Sequence, residues 1–402
     1  MIKSPGRASL VLWWICLLVC VNQLGFGAIV PALPIYAQSF GVPASAIGLA
    51  VGIYGLARFL AAAPAGGVAD RYGRRTALTI GGVMTLAGNL LSVFAVHYPA
   101  FLAARFLAGA GAGLIVTTSQ IVVADISPPE RRGRMIAIYM AAFIFGVGFG
   151  PLPGGVLSQH FGLAAPFYLG SATGLLATLL AWFAIPETHH LARAAAAQSP
   201  IRPVSYLQQL GALARQRGFV LVCLINLVNT ASRTGGLFTL VPLIGTARLH
   251  LSVQTIGSSM ALGLLTGLLG AYPSGMLVDH FGRKAVIVPA NMIFCLAVMM
   301  FCLAGSYPWF LAACLVWGAA SSIGGSAPTA YAADSAPPGM NATTLSTFRM
   351  IGDIGYVVGP VSLGLLADWF GAVTAMVAMA TVTAMAGLVF GLFAPETYRG
   401  RR

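Results

Sequence analysis

The chain has 402 residues, of which 58% are hydrophobic and only 8% charged. Charge this sparse cannot solvate a globular surface of that size, which excludes a soluble fold. The formal net charge of +13 would suit a nucleic-acid partner, but the placement of the basic residues gives it another meaning.

Apolar runs recur down the chain, each near the roughly 20 residues a helix needs to cross about 30 Å of hydrocarbon. They predict helices at 9–36, 45–69, 76–96, 98–124, 134–158 and 164–185, and again at 218–245, 252–278, 285–305, 307–333, 344–367 and 372–394. The runs are long and continuous, whereas barrel strands would be about 10 residues of alternating polarity. The first run follows Lys3 and Arg7 but is too long for a secretion signal and lacks a cleavage pattern, so it reads as a retained helix. Lys3, Arg7, Arg71, Arg74, Arg75, Arg131, Arg132, Arg134, Arg193, Arg202, Arg215, Arg217, Arg283, Lys284, Arg399, Arg401 and Arg402 share one side of this topology, 17 of the 22 Lys and Arg. Positive-inside bias makes that side cytoplasmic, with both termini inside, in the inner membrane of a bacterium. The charge is topogenic, and no nucleic-acid partner is expected. All six cysteines fall in predicted helices without metal spacing and read as packing residues. His189 and His190 read as a solvated linker pair, so neither a metal nor a cofactor is expected.

Residue n resembles residue n+209 over most of the chain: Ile47 with Ile256, Asp70 with Asp279, Gly73 with Gly282, Arg74 with Arg283, Gly109 with Gly318, Asp125 with Asp334, Gly150-Pro151 with Gly359-Pro360, and Pro186-Glu-Thr with Pro395-Glu-Thr. Each copy holds six helices, an even number, so both enter the membrane the same way as a parallel duplication. The expected division is a bundle at 1–188, a polar linker at 189–217 and a second bundle at 218–402.

Between the second and third helices the chain reads Gly66-Gly-Val-Ala-Asp70-Arg-Tyr-Gly73-Arg74-Arg75, and the second copy reads Gly275-Met-Leu-Val-Asp279-His-Phe-Gly282-Arg283-Lys284. A tight turn suits these residues: Gly73 tolerates positive φ, Asp70 precedes Arg74 by one turn, and the leading glycine permits close helix approach. The segment resembles the loop signature of the major facilitator superfamily, in both halves and over essentially the whole chain. The resemblance implies an all-α membrane protein with twelve transmembrane helices in two six-helix bundles. It also implies a cytoplasmic gating cluster of Gly66, Asp70, Gly73, Arg74 and Asp125 with Gly275, Asp279, Gly282, Arg283 and Asp334. Arg105 lies in Arg-Phe-Leu-Ala-Gly109-Ala-Gly111-Ala-Gly113, similar to the family's fourth-helix motif, whose arginine is tied to proton coupling; an arginine inside an apolar span is costly enough to suggest function by itself. Gly146, Gly150, Pro151, Gly154 and Gly155 resemble the glycine-proline motif of the drug/proton antiporter branch, although Ala137 stands where that motif has a further glycine. With Gly359 and Pro360 they are expected to form hinges, since proline kinks a helix and small residues admit a neighbour.

Arg58, Arg105, Arg233 and Arg349 remain inside the spans, against one well-embedded acid, Asp353, one turn after Arg349. That acid reads either as a structural ion-pair partner or as the proton carrier, working with Arg105. More arginine than carboxylate favours anionic, zwitterionic or polar amphiphilic cargo over lipophilic cations. Asn22, Gln23, Asn226 and Asn229 would supply hydrogen bonds and Tyr36, Tyr54 and Tyr356 amphipathic contact in a substrate cavity, unless they serve ordinary interhelical bonding. The leading expectation is a proton-coupled exporter working by alternating access, a monomer whose partners are a small-molecule substrate and the lipid bilayer. A proton-coupled importer of an organic anion and a non-transporting sensor or scaffold are the alternatives. An enzyme is not expected, because no Ser/His/Asp set, metal cluster or phosphate-cradling loop occurs.

Overall fold

The computed structural model describes residues 5–128, 131–188, 206–337 and 340–397. His189, His190, Lys3, Arg193, Arg202, Arg399, Arg401, Arg402 and most of the expected linker lie outside the described residues. Twelve helices among the described residues are long and apolar enough to cross a membrane. In the first half these are α1 (Pro5–Ile29), α2 (Ala44–Tyr72), α3 (Arg74–Val93), α4 (Tyr98–Ile126), α5 (Arg132–Phe161) and α6 (Ala165–Phe183). In the second half they are α7 (Arg217–Leu249), α8 (Val253–Phe281), α9 (Arg283–Leu303), α10 (Tyr307–Asp334), α11 (Asn341–Phe370) and α12 (Ala372–Phe393). No strand occurs among the described residues, as expected of backbone that must satisfy its own hydrogen bonds in hydrocarbon.

Two expected helices are interrupted, both by proline. The run at 9–36 breaks after Ile29 and restarts as a short helix, Leu33–Gln38, because Pro31 and Pro34 have no amide to continue the ladder. Within α5 the helix stops at Phe149 and resumes at Pro151. The matching Pro360 is carried inside a continuous α11. Elsewhere a single residue suffices to reverse the chain: Gly73, Gly282 and Gly371, at φ between 86° and 92°, each separate two consecutive helices, and Gly162 at φ 87° opens the three-residue turn before α6.

The chain separates into two compact units, Met1–Phe40 with Ile53–Ile201 and Gly41–Gly52 with Arg202–Arg402. The division at Ile201 falls inside the linker expected at 189–217, part of which is helical at Tyr206–Ala214. The start of α2 belongs to the second unit, which departs from a first bundle spanning 1–188. The physical cause is local: the Asp368 carboxylate of α11 accepts the Ala44 and Ser45 amides at 2.7 and 3.0 Å, and Gly52 lies against the Val357 carbonyl.

Glycine also sets the helix pairing inside each unit. In the first, Gly146, Gly150 and Gly154 of α5 lie against the α1 backbone at Cys20, Leu24 and Ala28; in the second, Gly355 and Gly359 of α11 lie against α7 at Leu227 and Ala231. A Cβ at Gly150 would press into backbone atoms that cannot step aside, whereas one at Gly133 meets nothing within 4 Å. Gly150→Leu is therefore expected to lose about 1–3 kcal/mol to overpacking, seen as a lower melting temperature in detergent, while Gly133→Ala leaves melting unchanged or slightly raised.

Candidate functional site

Arg74 ties four segments of the first unit together. Its Nε donates to Asp125 Oδ2 of α4 at 2.9 Å, and its Nη1 donates to Asp70 Oδ1 at 2.7 Å and to the Ala69 carbonyl at 3.1 Å, both at the end of α2. Its own amide and that of Arg75, the first two of α3, donate to the two Glu187 oxygens at 3.0 and 3.2 Å. That carboxylate thus satisfies orphan donors at the positive end of the helix. Thr188 Oγ1 donates to Asp125 Oδ2 at 3.0 Å and closes the network. Gly73 is required twice over, by its φ of 92° and because a side chain there would run into Glu187.

The second unit repeats this at the same offset. Arg283 Nε donates to Asp334 Oδ2 at 2.8 Å, its Nη1 lies 3.8 Å from Asp279 Oδ1, and Glu396 accepts from the Arg283 and Lys284 amides at 3.2 and 3.1 Å. Thr397 Oγ1 donates to Asp334 at 3.3 Å. The copies differ in burial: Arg74 and Asp125 are 3% and 9% exposed, Arg283 and Asp334 15% and 34%. Of the expected gating residues, Gly66 and Gly275 stand apart: a Cβ at either meets nothing within 4 Å, so the close helix approach expected there does not occur in this structure. Glu187, Thr188, Glu396 and Thr397 were not expected in the cluster. Their signal was the repeated Pro-Glu-Thr, whose role appears only when the chain after α6 and α12 returns to the start of α3 and α9.

Inside the first unit, Arg105 is 1% exposed and its guanidinium lies 4.6 Å from the Tyr54 ring centroid. Tyr54 stacks in turn on Phe26 at 5.1 Å. Gly109 and Gly113, one and two turns after Arg105, bring α4 against the α2 backbone at Tyr54 and Arg58, which fixes this layering. Asn22, one turn before Phe26 on α1, is 3% exposed, and Gln23 lies beside Gly146. Arg58 is half-buried. In the second unit, Asn226 Nδ2 donates to the Phe348 carbonyl at 2.7 Å, so this expected cavity residue pins α7 to α11. Asn229 is half-buried, Arg233 exposed and Tyr356 buried; Arg349 is exposed and Asp353 half-buried one turn further along α11. Tyr36 packs among Phe40, Phe101 and Phe167 and donates to the Ser92 carbonyl at 3.1 Å, a structural role at the end of its unit.

The burial difference between the two clusters predicts unequal costs. Asp125→Ala removes a charged hydrogen bond from a buried guanidinium that keeps Asp70 and should cost about 2 kcal/mol, whereas Asp334→Ala, at a wetter pair, should cost about 1 kcal/mol. Melting of the two variants side by side measures the difference.

A sequence model of the Major Facilitator Superfamily matches residues 15–251 and 222–402. The chain is 28% identical over 356 residues to an uncharacterized MFS-type transporter of Methanocaldococcus jannaschii, covering 87% of this chain and 89% of that one. It is 28% identical over 161 residues to the quinolone resistance protein NorA of Staphylococcus aureus, an alignment that covers 39% of this chain and 40% of NorA. Its fold is similar to the crystal structure of a D-xylose-proton symporter, with TM-score 0.75, 17% identity and coverage of 97% and 99%. The family match spans both six-helix copies, and the relative matched over 87% of this chain is an MFS-type transporter. The chain therefore belongs to the Major Facilitator Superfamily and is a multi-pass membrane transporter, not an enzyme.

Proposed function

We propose that the protein is a proton-coupled exporter of small amphiphiles bearing an anionic or zwitterionic group, working by alternating access in the bacterial inner membrane with both termini cytoplasmic. The observation that carries the cargo class is the charge inside the spans, four arginines against one well-embedded acid. Arg58 lies 14 residues from each end of Ala44–Tyr72, and Arg233 lies 16 residues from each end of Arg217–Leu249. At about 1.5 Å per residue neither side chain can reach a headgroup, and a mid-span cation is tolerated only where it meets water or a partner. The partial similarity to a quinolone resistance protein supports efflux, and quinolones carry a carboxylate.

In this reading Arg105 is a fixed positive charge held by Tyr54, and Asp353 carries the proton. Counter-transport needs cargo and proton to exclude each other: ionised Asp353 holds the cationic group of a zwitterionic cargo while Arg349, its neighbour one turn away, takes the anionic group, and protonating Asp353 releases the cargo. The two loop clusters hold helix ends together while the bundles alternate. The same arginine surplus would serve a proton-coupled importer of an organic anion, and the direction of accumulation separates the two.

Purified protein in proteoliposomes with an imposed pH gradient tests this with norfloxacin as probe. Accumulation against its gradient, coupled to proton flow in the opposite direction, is expected of the native protein. Asp353→Asn should lose gradient-driven accumulation at least tenfold while keeping equilibrium counterflow. Unchanged pH dependence in that variant would remove Asp353 from the coupling role, and proton-driven uptake in the same direction as the proton would favour import.

A further inference from the structure

The repeat offset of 209 fails in one place, and the failure locates an insertion. Gly146 and Gly150 of α5 correspond to Gly355 and Gly359 of α11 at 209, but the backbone they touch is Cys20 and Leu24 in the first unit and Leu227 and Ala231 in the second, an offset of 207. The same 207 holds one turn on, where Ala28 lies at Gly154 and Gly235 lies against Gly359 and Leu363. By the left-handed residues Gly41 (φ 70°) and His250 (φ 51°), which end the two segments, the offset is 209 again. The second half therefore carries two additional residues between Gly235 and His250.

The helix itself absorbs them. From Ser232 to Leu240 α7 is a nine-residue π-helix, and beyond it the Val241 amide donates to the carbonyl of Gly236, five residues back. A π-helix takes about 4.4 residues per turn and an α-helix about 3.6, so nine residues making two π turns hold roughly two more than two α turns. In the corrected register Asn229 corresponds to Asn22 and Arg233 to Phe26, while Gly263 and Cys314 still answer to Tyr54 and Arg105. The first unit thus builds Phe26, Tyr54 and Arg105 into a closed column, its cation on α4 and shielded. The second carries a cation on α7, and Gly263, in the place of Tyr54, lies directly against the α10 backbone at Cys314 and Gly318. From Ser232 to Pro242 every residue is buried except Arg233. An exposed guanidinium at the middle of a 33-residue span is stable against water, not hydrocarbon.

We infer that Arg233, presented by the two-residue π insertion of α7, anchors the anionic group of the cargo. A carboxylate on a small aromatic body fits the fork geometry of a guanidinium, and a widened turn is where helices commonly carry function. This rests on the anionic-cargo reading above but not on its direction or its coupling.

Equilibrium binding to the purified full-length protein, without any gradient, tests it with norfloxacin, salicylate and benzoate against norfloxacin methyl ester, salicylamide and benzamide. At least one carboxylate should bind at least tenfold tighter than its neutral counterpart. Arg233→Gln should abolish that preference and Arg233→Lys should keep part of it, with both variants eluting as the native protein does on size exclusion. In parallel, Arg233→Cys in a background without the six native cysteines should react with a membrane-impermeant anionic thiosulfonate. A carboxylate preference that survives Arg233→Gln, no preference in the native protein, or an unreactive Cys at 233 in a folded protein would each overturn the inference. Efflux failing in proteoliposomes while the carboxylate preference persists would overturn export alone.

Discussion

Backbone lies against backbone where α5 meets α1 and α11 meets α7, because Gly146, Gly150 and Gly154, and then Gly355 and Gly359, remove the side chains that would hold the helices apart. In lipid there is little hydrophobic reward for helix association, so close packing of this kind and interhelical hydrogen bonds must supply it. These seams also fix axial register. Once Gly359 is seated on Ala231, two extra residues further along α7 cannot slide past and must be taken up as a widened helix.

Charge is arranged at two levels within that framework. At the helix ends, Arg74 and Arg283 each join two helices separated by a single glycine to an acid on a third helix, and Glu187 and Glu396 fill the donors that the tight turn exposes. Deep within the spans the charge is not duplicated. Arg105 is shielded by aromatic rings in the first unit, while Arg233 is presented in the second, with Arg349 and Asp353 on the adjacent α11. Duplicated groups thus tie helix ends together, and in the proposed reading the unduplicated groups carry the selective chemistry.

Much of the fold was legible before the structure. Twelve helices follow from the length of the apolar runs, and the turn glycines and the Asp-Arg-Asp sets follow from local spacing and the repeat, because each depends on residues close in sequence or copied at a constant offset. What was not legible depends on surroundings remote in sequence. Gly66 and Gly275 were expected to admit a neighbouring helix, and a Cβ there meets nothing within 4 Å; for Asn226, cavity lining and interhelical bonding were both open, and it bonds to the backbone of α11.

By itself the sequence determined the class of protein, the number of spans, the duplication and the type of residue placed at each turn, all consequences of the solvent the chain must match and of local backbone sterics. The tertiary structure alone decided that Glu187 and Glu396 complete the loop clusters, that the start of α2 belongs to the second unit, and that α7 carries a π insertion. A constant offset along most of the sequence conceals a slip of two residues in one helix, although Cys16 with Cys223 and Asn22 with Asn229 match at 207. The contact between Gly359 and Ala231, a fact of packing, decides between the two registers.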